Sequence, residues 1–172
     1  MDRLAAAFRG EPTRREDIED VLAVARERRI LDTDEQSMLE GVMAVSDTQV
    51  RDIMIPRAQM VVIERDADPR EMLETIVESG HSRFPVIGDG RDEVVGILLA
   101  KDLLAQCLTN QPLDIQSILQ PALFVPENSS VFAVVERLKD THSKMALVID
   151  EYGGLEGLVT VDDVMEALVG DI

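Results

Sequence analysis

Two similar segments occur in the sequence, HSRFPVI at residues 81–87 and HSKMALV at residues 142–148. The offset between them is 142 − 81 = 61 residues. Without a gap the match continues downstream, with VVGIL at 94–98 over LEGLV at 155–159 and KDLL at 101–104 over DDVM at 162–165. Upstream, DIMIP at 52–56 resembles SILQP at 117–121. A match of this length indicates an internal repeat, with a first copy at residues 47–109 and a second at 110–172.

Both copies show the same order of predicted elements. A short strand (Met60–Ile63; Leu123–Val125) is followed by a helix, which begins at Asp68-Pro69 in the first copy and near Ser130 in the second. Two apolar segments around a tight turn predict a strand pair, and a last helix follows. Each copy is therefore β-α-β-β-α. Since so small a unit cannot bury its apolar sheet face alone, we expect an α/β (α+β) fold in which the two repeats pack as a pair.

Residues 1–46 precede the repeat and predict an N-terminal helical segment. Two capping-box patterns, Thr13 to Glu16 and Thr33 to Gln36, each stand before apolar residues at helical spacing. The chain thus divides into a helical segment (1–46), a first repeat (47–109) and a second repeat (110–172).

Composition narrows the class of protein. The chain has 172 residues, 45% of them apolar, and 34 acidic against 17 basic residues give a formal charge of −17. Such a charge disfavours DNA, RNA and anionic lipid as partners. No charge-free stretch approaches the roughly 20 residues of a membrane span, and the single cysteine, Cys107, cannot form an internal disulfide. We expect a soluble, cytoplasmic chain.

Acidic residues dominate the end of the chain. Residues 109–172 hold 11 acidic side chains and only three basic ones, Arg137, Lys139 and Lys144. An anion bound there needs cations from elsewhere in the protein.

Four segments identify a family: EGVM at 40–43, RDIMIPR at 51–57, HSRFPV at 81–86 and DEYGG at 150–154. Together with the repeat they resemble a tandem pair of CBS domains, regulatory modules that bind adenine nucleotides. They are similar in particular to the CorC family of magnesium and cobalt efflux proteins and its haemolysin-like relatives. The resemblance implies AMP or ATP as ligand, with or without Mg²⁺, and a homodimer.

The same resemblance bears on the rest of the protein. Many relatives carry a membrane domain upstream, and most continue past Val169–Asp171 into an acidic linker and a small C-terminal domain. We therefore expect the chain to be a piece of a longer protein. It is expected to work with a membrane transport domain, or a transporter of the same pathway, at the inner face of the cell membrane.

In CBS domains that bind nucleotides, a Thr and an Asp three residues later bind the ribose, and Thr160 and Asp163 match that pattern. An ionised carboxylate can accept hydrogen bonds from both hydroxyls of a vicinal diol. Spacing alone equally fits a plain helix cap, and the two roles can coexist. In the first copy Leu99 replaces the threonine although Asp102 remains. We expect the second-copy site to be competent and the first-copy site to be weaker.

The resemblance implies where the rest of the nucleotide lies. The adenine is expected against apolar residues of the second copy: Met145, Ala146, Val148, Pro121 and Leu123. The phosphate is expected near the partner copy's His81, Ser82 and Arg83, whereas His142 and Lys144 are expected to face the weaker site. Packing in the core, or a structural hydrogen bond for the histidines, is the alternative for these side chains.

Patterns of catalysis are missing from the sequence. It has no Gly-x-x-x-x-Gly-Lys phosphate loop, no His-Glu-x-x-His zinc motif and no cysteine cluster. We expect no enzyme and no metal site built by the protein. A dimerisation or scaffold module without a ligand is the alternative to a nucleotide sensor.

Overall fold

A computed structural model describes residues 10–170 and divides the chain into two compact units. One unit comprises Gln49–Val164, and the other comprises Met1–Thr48 together with Met165–Ile172. Six α-helices and two sheets lie among the described residues. The mixed α/β class expected from the sequence is confirmed.

Two helices follow one another at the N-terminal end, α1 (Arg15–Glu27) and α2 (Thr33–Val45). Both begin one residue away from the predicted caps. The Asp17 carboxylate accepts the backbone N–H groups of Thr13 (3.0 Å) and Arg14 (2.9 Å), so it takes the place expected for Glu16. Asp32 and Glu35 cap α2 reciprocally, each through a 2.8 Å bond to the other's backbone N–H. A carboxylate before the threonine displaces the expected cap because Asp is a strong N-cap residue.

Tight packing of backbone on backbone holds this unit together. A Cβ atom on Gly41 in α2 would overlap the carbonyl oxygen of Leu168, so only glycine allows this approach. Arg15 donates to the Met43 carbonyl and the Ser46 hydroxyl at the end of α2, where a cation interacts favourably with the helix dipole.

The first copy forms a three-stranded sheet. Its elements are β2 (Ile63–Glu64), α3 (Pro69–Ser79), β3 (Arg83–Ile87), β4 (Val94–Leu99) and α4 (Ala100–Cys107). The strand order is β2-β3-β4, parallel between β2 and β3 and antiparallel between β3 and β4. Asp68 caps α3 as predicted, accepting the Arg70 N–H at 2.8 Å, with Pro69 in the first turn.

The second copy repeats this arrangement. Its elements are β5 (Phe124–Pro126), α5 (Val131–Asp140), β6 (Met145–Ile149), β7 (Leu155–Thr160) and α6 (Val161–Val169). Ser130 caps α5 by accepting the Ala133 N–H. A fourth strand joins this sheet from the first copy, β1 (Ile55–Pro56), which gives the order β1-β7-β6-β5.

The two copies interlock through the segments that lead into them. β1 precedes the first copy's own sheet but pairs with β7 of the second copy, Ile55 opposite Leu158. In return Gln120 exchanges backbone hydrogen bonds of 2.8 and 2.9 Å with Ile97 of β4. An apolar cluster then joins side chains of both copies: Ile97, Met145, Leu147, Leu155 and Leu158. The predicted packing of the repeats as a pair is confirmed.

The gapless alignment of the copies is wrong by one residue across β3 and β6. Val86 pairs with Gly96, and its counterpart pairing is Val148 with Gly157, which is an offset of 62 on the first strand and 61 on the second. The cause is the turn between the strands, which has six residues (88–93) in the first copy and five (150–154) in the second.

Helix ends confirm the shifted alignment. Gly80 (φ 69°) and His142 (φ 52°), 62 residues apart, both adopt the left-handed conformation after their helices. The structural counterpart of Arg83 is therefore Met145, and that of Ser82 is Lys144.

Candidate functional site

A cavity of about 600 Å³ lies within the unit Gln49–Val164. This volume is in the range of small-molecule sites, about 300–1,000 Å³. Residues of both copies line it. They come from β1 and the segment after it, from the start of β3 and the loop before it, from the start of β6 and the residue before it, and from β7 and its junction with α6: Ile55, Gln59, Met60, Val61, Gly80, His81, Ser82, Arg83, Lys144, Met145, Leu158, Thr160, Val161, Asp162 and Asp163.

Thr160 and Asp163 form a reciprocal helix cap at one side of the cavity. The Thr160 N–H and hydroxyl both donate to Asp163 Oδ2, at 2.7 and 2.9 Å, and the Asp163 N–H donates to the Thr160 hydroxyl at 3.2 Å. Strand β7 ends here and α6 begins, so the carboxylate also lies at the positive end of the helix dipole. The capping role that spacing allows is therefore present.

The cap leaves acceptor capacity for a ligand. Only Oδ2 of Asp163 takes part in it, and among residues 10–170 no group donates a hydrogen bond to Oδ1. A carboxylate oxygen at a cavity wall can accept from a hydroxyl group. The ligand and the cap can thus use the same two side chains.

The corresponding junction of the first copy has a different character. Leu99 is the N-cap residue of α4 and makes no side-chain cap, and its side chain is buried. Asp102 lies half-buried in the first turn of that helix. Neither residue lines the cavity described above.

Two cations line the cavity, Arg83 and Lys144. Lys144 is the structural counterpart of Ser82, each directly precedes the first long strand of its copy, and both line the cavity. The prediction for Lys144 was a place facing the first-copy site, whereas the structure places it beside Thr160 and Asp163. His81 and Ser82 line the same cavity, and His142 does not.

Of the apolar residues that were predicted to contact an adenine, the structure places one at the cavity and the others elsewhere. Met145 lines the cavity, whereas Ala146 and Val148 are completely buried in β6. Leu123 is also buried, and neither it nor Pro121 lines the cavity.

Sequence reasoning missed the apolar wall that the first copy supplies. Ile55 near the end of the RDIMIP motif lines the cavity, as do Gln59, Met60 and Val61, which follow the motif. The repeat match of residues 52–56 to 117–121 was the available signal, since it indicated that this segment has a conserved place in both copies' architecture.

Charges in the cavity are balanced. The cations Arg83 and Lys144 line the cavity together with two acidic residues, Asp162 and Asp163, and the Asp163 carboxylate takes part in the cap. Across residues 10–170 no three His, Cys, Asp or Glu side chains cluster as metal ligands do. Within the same range no helix has the length and apolarity needed to cross a membrane.

Comparison with known proteins identifies the fold and the repeat. The family model described as "CBS domain" matches twice, at residues 50–108 and 114–170. The chain belongs to the CBS-domain family. A second model, "N-terminal region of NMB0537", matches residues 10–45, which precede the two CBS domains.

Relatives of the CBS pair are named magnesium and cobalt efflux protein CorC. The protein of that name from Vibrio cholerae is 43% identical over 173 residues, which cover 100% of this chain and 60% of the relative. That from Salmonella typhimurium is 41% identical over 98% of this chain and 58% of the relative. The chain thus spans about 60% of the length of these relatives.

Solved structures resemble the CBS pair as a whole. The CBS domain of a bacterial CNNM/CorC family Mg²⁺ transporter superimposes with a TM-score of 0.82 and 36% identity, over 94% of this chain and 99% of the other. The same domain described as a complex with ATP gives 0.73 and 38%, over 80% and 99%. A CBS-domain pair with bound AMP from Klebsiella pneumoniae gives 0.65 and 28%, over 72% and 100%. The predicted family, a tandem CBS pair of CorC type, is confirmed.

Proposed function

We propose that this CBS pair is a regulatory module that binds an adenine nucleotide, AMP or ATP, in a protein of magnesium and cobalt efflux. The observation that carries the proposal is the cavity wall at which Thr160 and Asp163 stand together with Arg83 and Lys144. Hydroxyl-binding groups and phosphate-binding cations then occupy one site. Similar CBS pairs are described as complexes with ATP and with AMP, which supports the same ligand class.

The lining fits each part of the nucleotide. Asp163 Oδ1 accepts from the ribose hydroxyls while Oδ2 keeps the cap, and the Thr160 hydroxyl oxygen adds a further polar contact. Arg83 pairs with phosphate through its planar fork, and Lys144 adds a point charge. The base packs against Ile55, Met60 and Met145, since adenine is flat and mostly apolar on its faces.

Regulation follows from the fact that both copies line the site. A ligand held by Arg83 of the first copy and Asp163 of the second favours arrangements in which these groups stay close. It thereby shifts the population between arrangements of the pair. We propose that this shift is passed to a membrane transport domain or transporter, with the pair acting as a homodimer in the cytoplasm and without catalytic chemistry of its own.

The proposal is tested by titration calorimetry with AMP, ATP and Mg-ATP. Asp163→Asn keeps a side-chain oxygen that can accept from the N-cap residue Thr160 but loses the charge, and we expect binding weaker by about ten- to a hundredfold, since hydrogen bonds to charged groups contribute about 1.5–3 kcal/mol. Asp102→Asn is the matched control, because Asp102 holds the same place in the first copy. We expect it to leave the affinity unchanged.

Two results would count against the site. Absence of heat with all three nucleotides at concentrations suited to micromolar binding would remove the sensor function. Equal effects of Asp163→Asn and Asp102→Asn would move the ligand away from the junction of β7 and α6.

A scaffold module without a ligand is the second candidate. It is favoured by one observation, that Thr160 and Asp163 bond to each other in a helix cap that forms without a ligand. For a scaffold we expect no heat of binding with any nucleotide, and Asp163→Asn then lowers only the free energy of unfolding.

A further inference from the structure

One wall of the cavity is a short segment without a sheet of its own. Residues 55–61, here called the wall segment, comprise β1, one turn of 3-10 helix (Arg57–Gln59) and an extended stretch. Four of its residues line the cavity: Ile55, Gln59, Met60 and Val61. Only two of its residues pair with a strand, Ile55 with Leu158 and Pro56 with Gly157. Beyond Pro56, Met60 and Val61 pack against apolar clusters of the core, and a polar connection adds to this packing.

Arg57 makes that connection. Its guanidinium pairs with Asp92 in the turn between β3 and β4, and it donates to the Arg91 carbonyl at 3.0 Å and to the Leu155 carbonyl at 3.4 Å. The same oxygen of Asp92 also accepts the Leu155 N–H at 3.3 Å. Arg57 therefore ties the wall segment to the first copy's turn and to the start of β7 in the second copy.

The contacts of Arg57 with Asp92, Arg91 and Leu155 are here called the clamp. The second copy lacks the residues for an equivalent of it. Its leading segment carries Ala122 where the first has Arg57, by the match of residues 52–56 to 117–121. Gly153 stands where Asp92 stands, at the offset of 61 that holds on this side of the turn. The first-copy junction also lacks the threonine and has Met145 as the counterpart of Arg83. The clamp thus accompanies the cavity that Thr160, Asp163 and Arg83 line.

We propose that Arg57 is a positioning residue for the nucleotide: through Asp92 and Leu155 it holds the wall segment against β7 and so presents Ile55, Met60 and Val61 to the base. The inference rests on the proposed function and adds a residue that does not touch the ligand. Its effect is on the nucleoside end of the ligand, whereas Arg83 acts on the phosphate.

The ion pair of Arg57 with Asp92 is partly exposed, so a positioning role can be told apart from a role in the stability of the fold. The Arg57 and Asp92 side chains are 40% and 52% exposed. Exposed ion pairs contribute little to the free energy of unfolding, because water screens them. Loss of Arg57 is therefore expected to loosen the wall segment without unfolding the protein.

Hydrogen exchange on the ligand-free chain tests whether the clamp holds the wall segment. Arg57→Ala is expected to speed amide exchange in residues 55–62 several-fold. Arg65→Ala is the matched control, since Arg65 forms a similar pair with Asp89 (2.9 Å) that lies within the first copy and away from the cavity. Exchange in Arg57→Ala that equals the control in this segment overturns the clamp.

Calorimetry with AMP and adenosine tests the effect on binding. Arg57→Ala is expected to weaken both ligands by the same factor, about five- to tenfold, because loss of a charge-assisted, forked contact releases the wall. Arg83→Ala is expected to weaken AMP far more than adenosine. Arg57→Lys should recover only part of the affinity, since an ammonium cannot reach Asp92 and two carbonyls at once.

The outcomes remain distinguishable from those of the proposed function. If wild-type protein binds AMP and Arg57→Ala binds it as well as Arg65→Ala does, the positioning role is overturned while nucleotide binding stands. If Arg57→Ala weakens AMP but not adenosine, Arg57 is a phosphate ligand and the inference is wrong. If wild type binds no nucleotide, the proposed function fails, and the exchange measurement alone decides whether Arg57 holds the wall segment.

Discussion

Thr160 and Asp163 show how one pair of side chains can serve structure and ligand together. Their cap uses one carboxylate oxygen and one hydroxyl, and the second carboxylate oxygen stays available at the cavity wall. The helix N-terminus offers backbone N–H groups and a favourable dipole to a carboxylate, so the fold itself keeps Asp163 in position. A motif that reads as a cap is therefore compatible with a binding role.

Asp17 gives a pH-dependent prediction at the start of α1. Backbone N–H groups of Thr13 and Arg14 donate to its carboxylate and lower its pKa below the ordinary 3.8. A lowered pKa means that the charged form stabilises the helix. This contribution is complete above the ordinary value and is lost as the pH falls through the lowered pKa.

We therefore expect α1 to fray in acid before the sheets unfold, and Asp17→Asn to fray at neutral pH. Hydrogen exchange of α1 amides across the acid range measures the effect, and an NMR titration gives the pKa itself. Glu19→Gln, on the exposed face of the same helix, is the control. An Asp17 that titrates at or above 3.8 contradicts the prediction.

The junction between a leading segment and a last strand is the element that makes the pair. A Cβ on Gly157 in β7 would overlap the Ile55 carbonyl, and on Gly96 in β4 it would approach the Leu119 Cβ to 2.9 Å and the Gln120 carbonyl oxygen to 3.0 Å. Both glycines allow the other copy's leading segment to approach the strand. Each copy's leading segment thus packs against the last strand of the other copy, and neither copy is therefore complete alone.

Alanine at these glycines separates the two junctions. We expect Gly157→Ala and Gly96→Ala each to lower the free energy of unfolding by about 1–3 kcal/mol, as overpacking does, with the larger loss at Gly157, where rigid backbone is met. Only Gly157→Ala is also expected to weaken AMP binding, because it displaces the wall segment. Urea unfolding and calorimetry give the two quantities, and equal losses of affinity in the two variants would contradict this assignment.

Register within the repeat shows where sequence comparison failed. The gapless alignment fits β4 to β7 but is one residue out between β3 and β6, because the turn of the first copy is one residue longer. A slip of one residue turns every side chain to the other face, and alternation of polar and apolar residues normally reveals it. β3 and β6 are apolar on both faces, so this signal is missing. Lys144 was therefore expected to face the first-copy site, whereas it lines the cavity that Thr160 and Asp163 also line.

The net charge of −17 is a property of the whole molecule that salt can test. Self-repulsion destabilises a compact acidic chain, and screening relieves it. We expect potassium chloride to raise the melting temperature of the ligand-free protein while it weakens AMP binding, since Arg83 and Lys144 are screened too. Arg83→Ala should keep the first response and lose part of the second.

Melting curves and AMP titrations at several chloride concentrations measure both responses. Adenosine binding is the control, because it involves no phosphate and should change little with salt. AMP affinity that is independent of salt in wild type would contradict phosphate recognition by these cations.

The sequence by itself determined the repeat, the β-α-β-β-α order of each copy and the family, because these depend on local pattern and on motifs that lie within a few residues of one another. It also singled out Thr160, Asp163 and Arg83, which the structure brings to one cavity. Only the tertiary structure decided that Lys144 lines this cavity, that residues of the segment 55–61 line it too, and that Arg57 bonds to Asp92 and to the Leu155 carbonyl. These features depend on which strand each leading segment pairs with, a contact between residues some 100 positions apart (Ile55 and Leu158). They also depend on one extra residue in a turn, which shifts the register of the two copies.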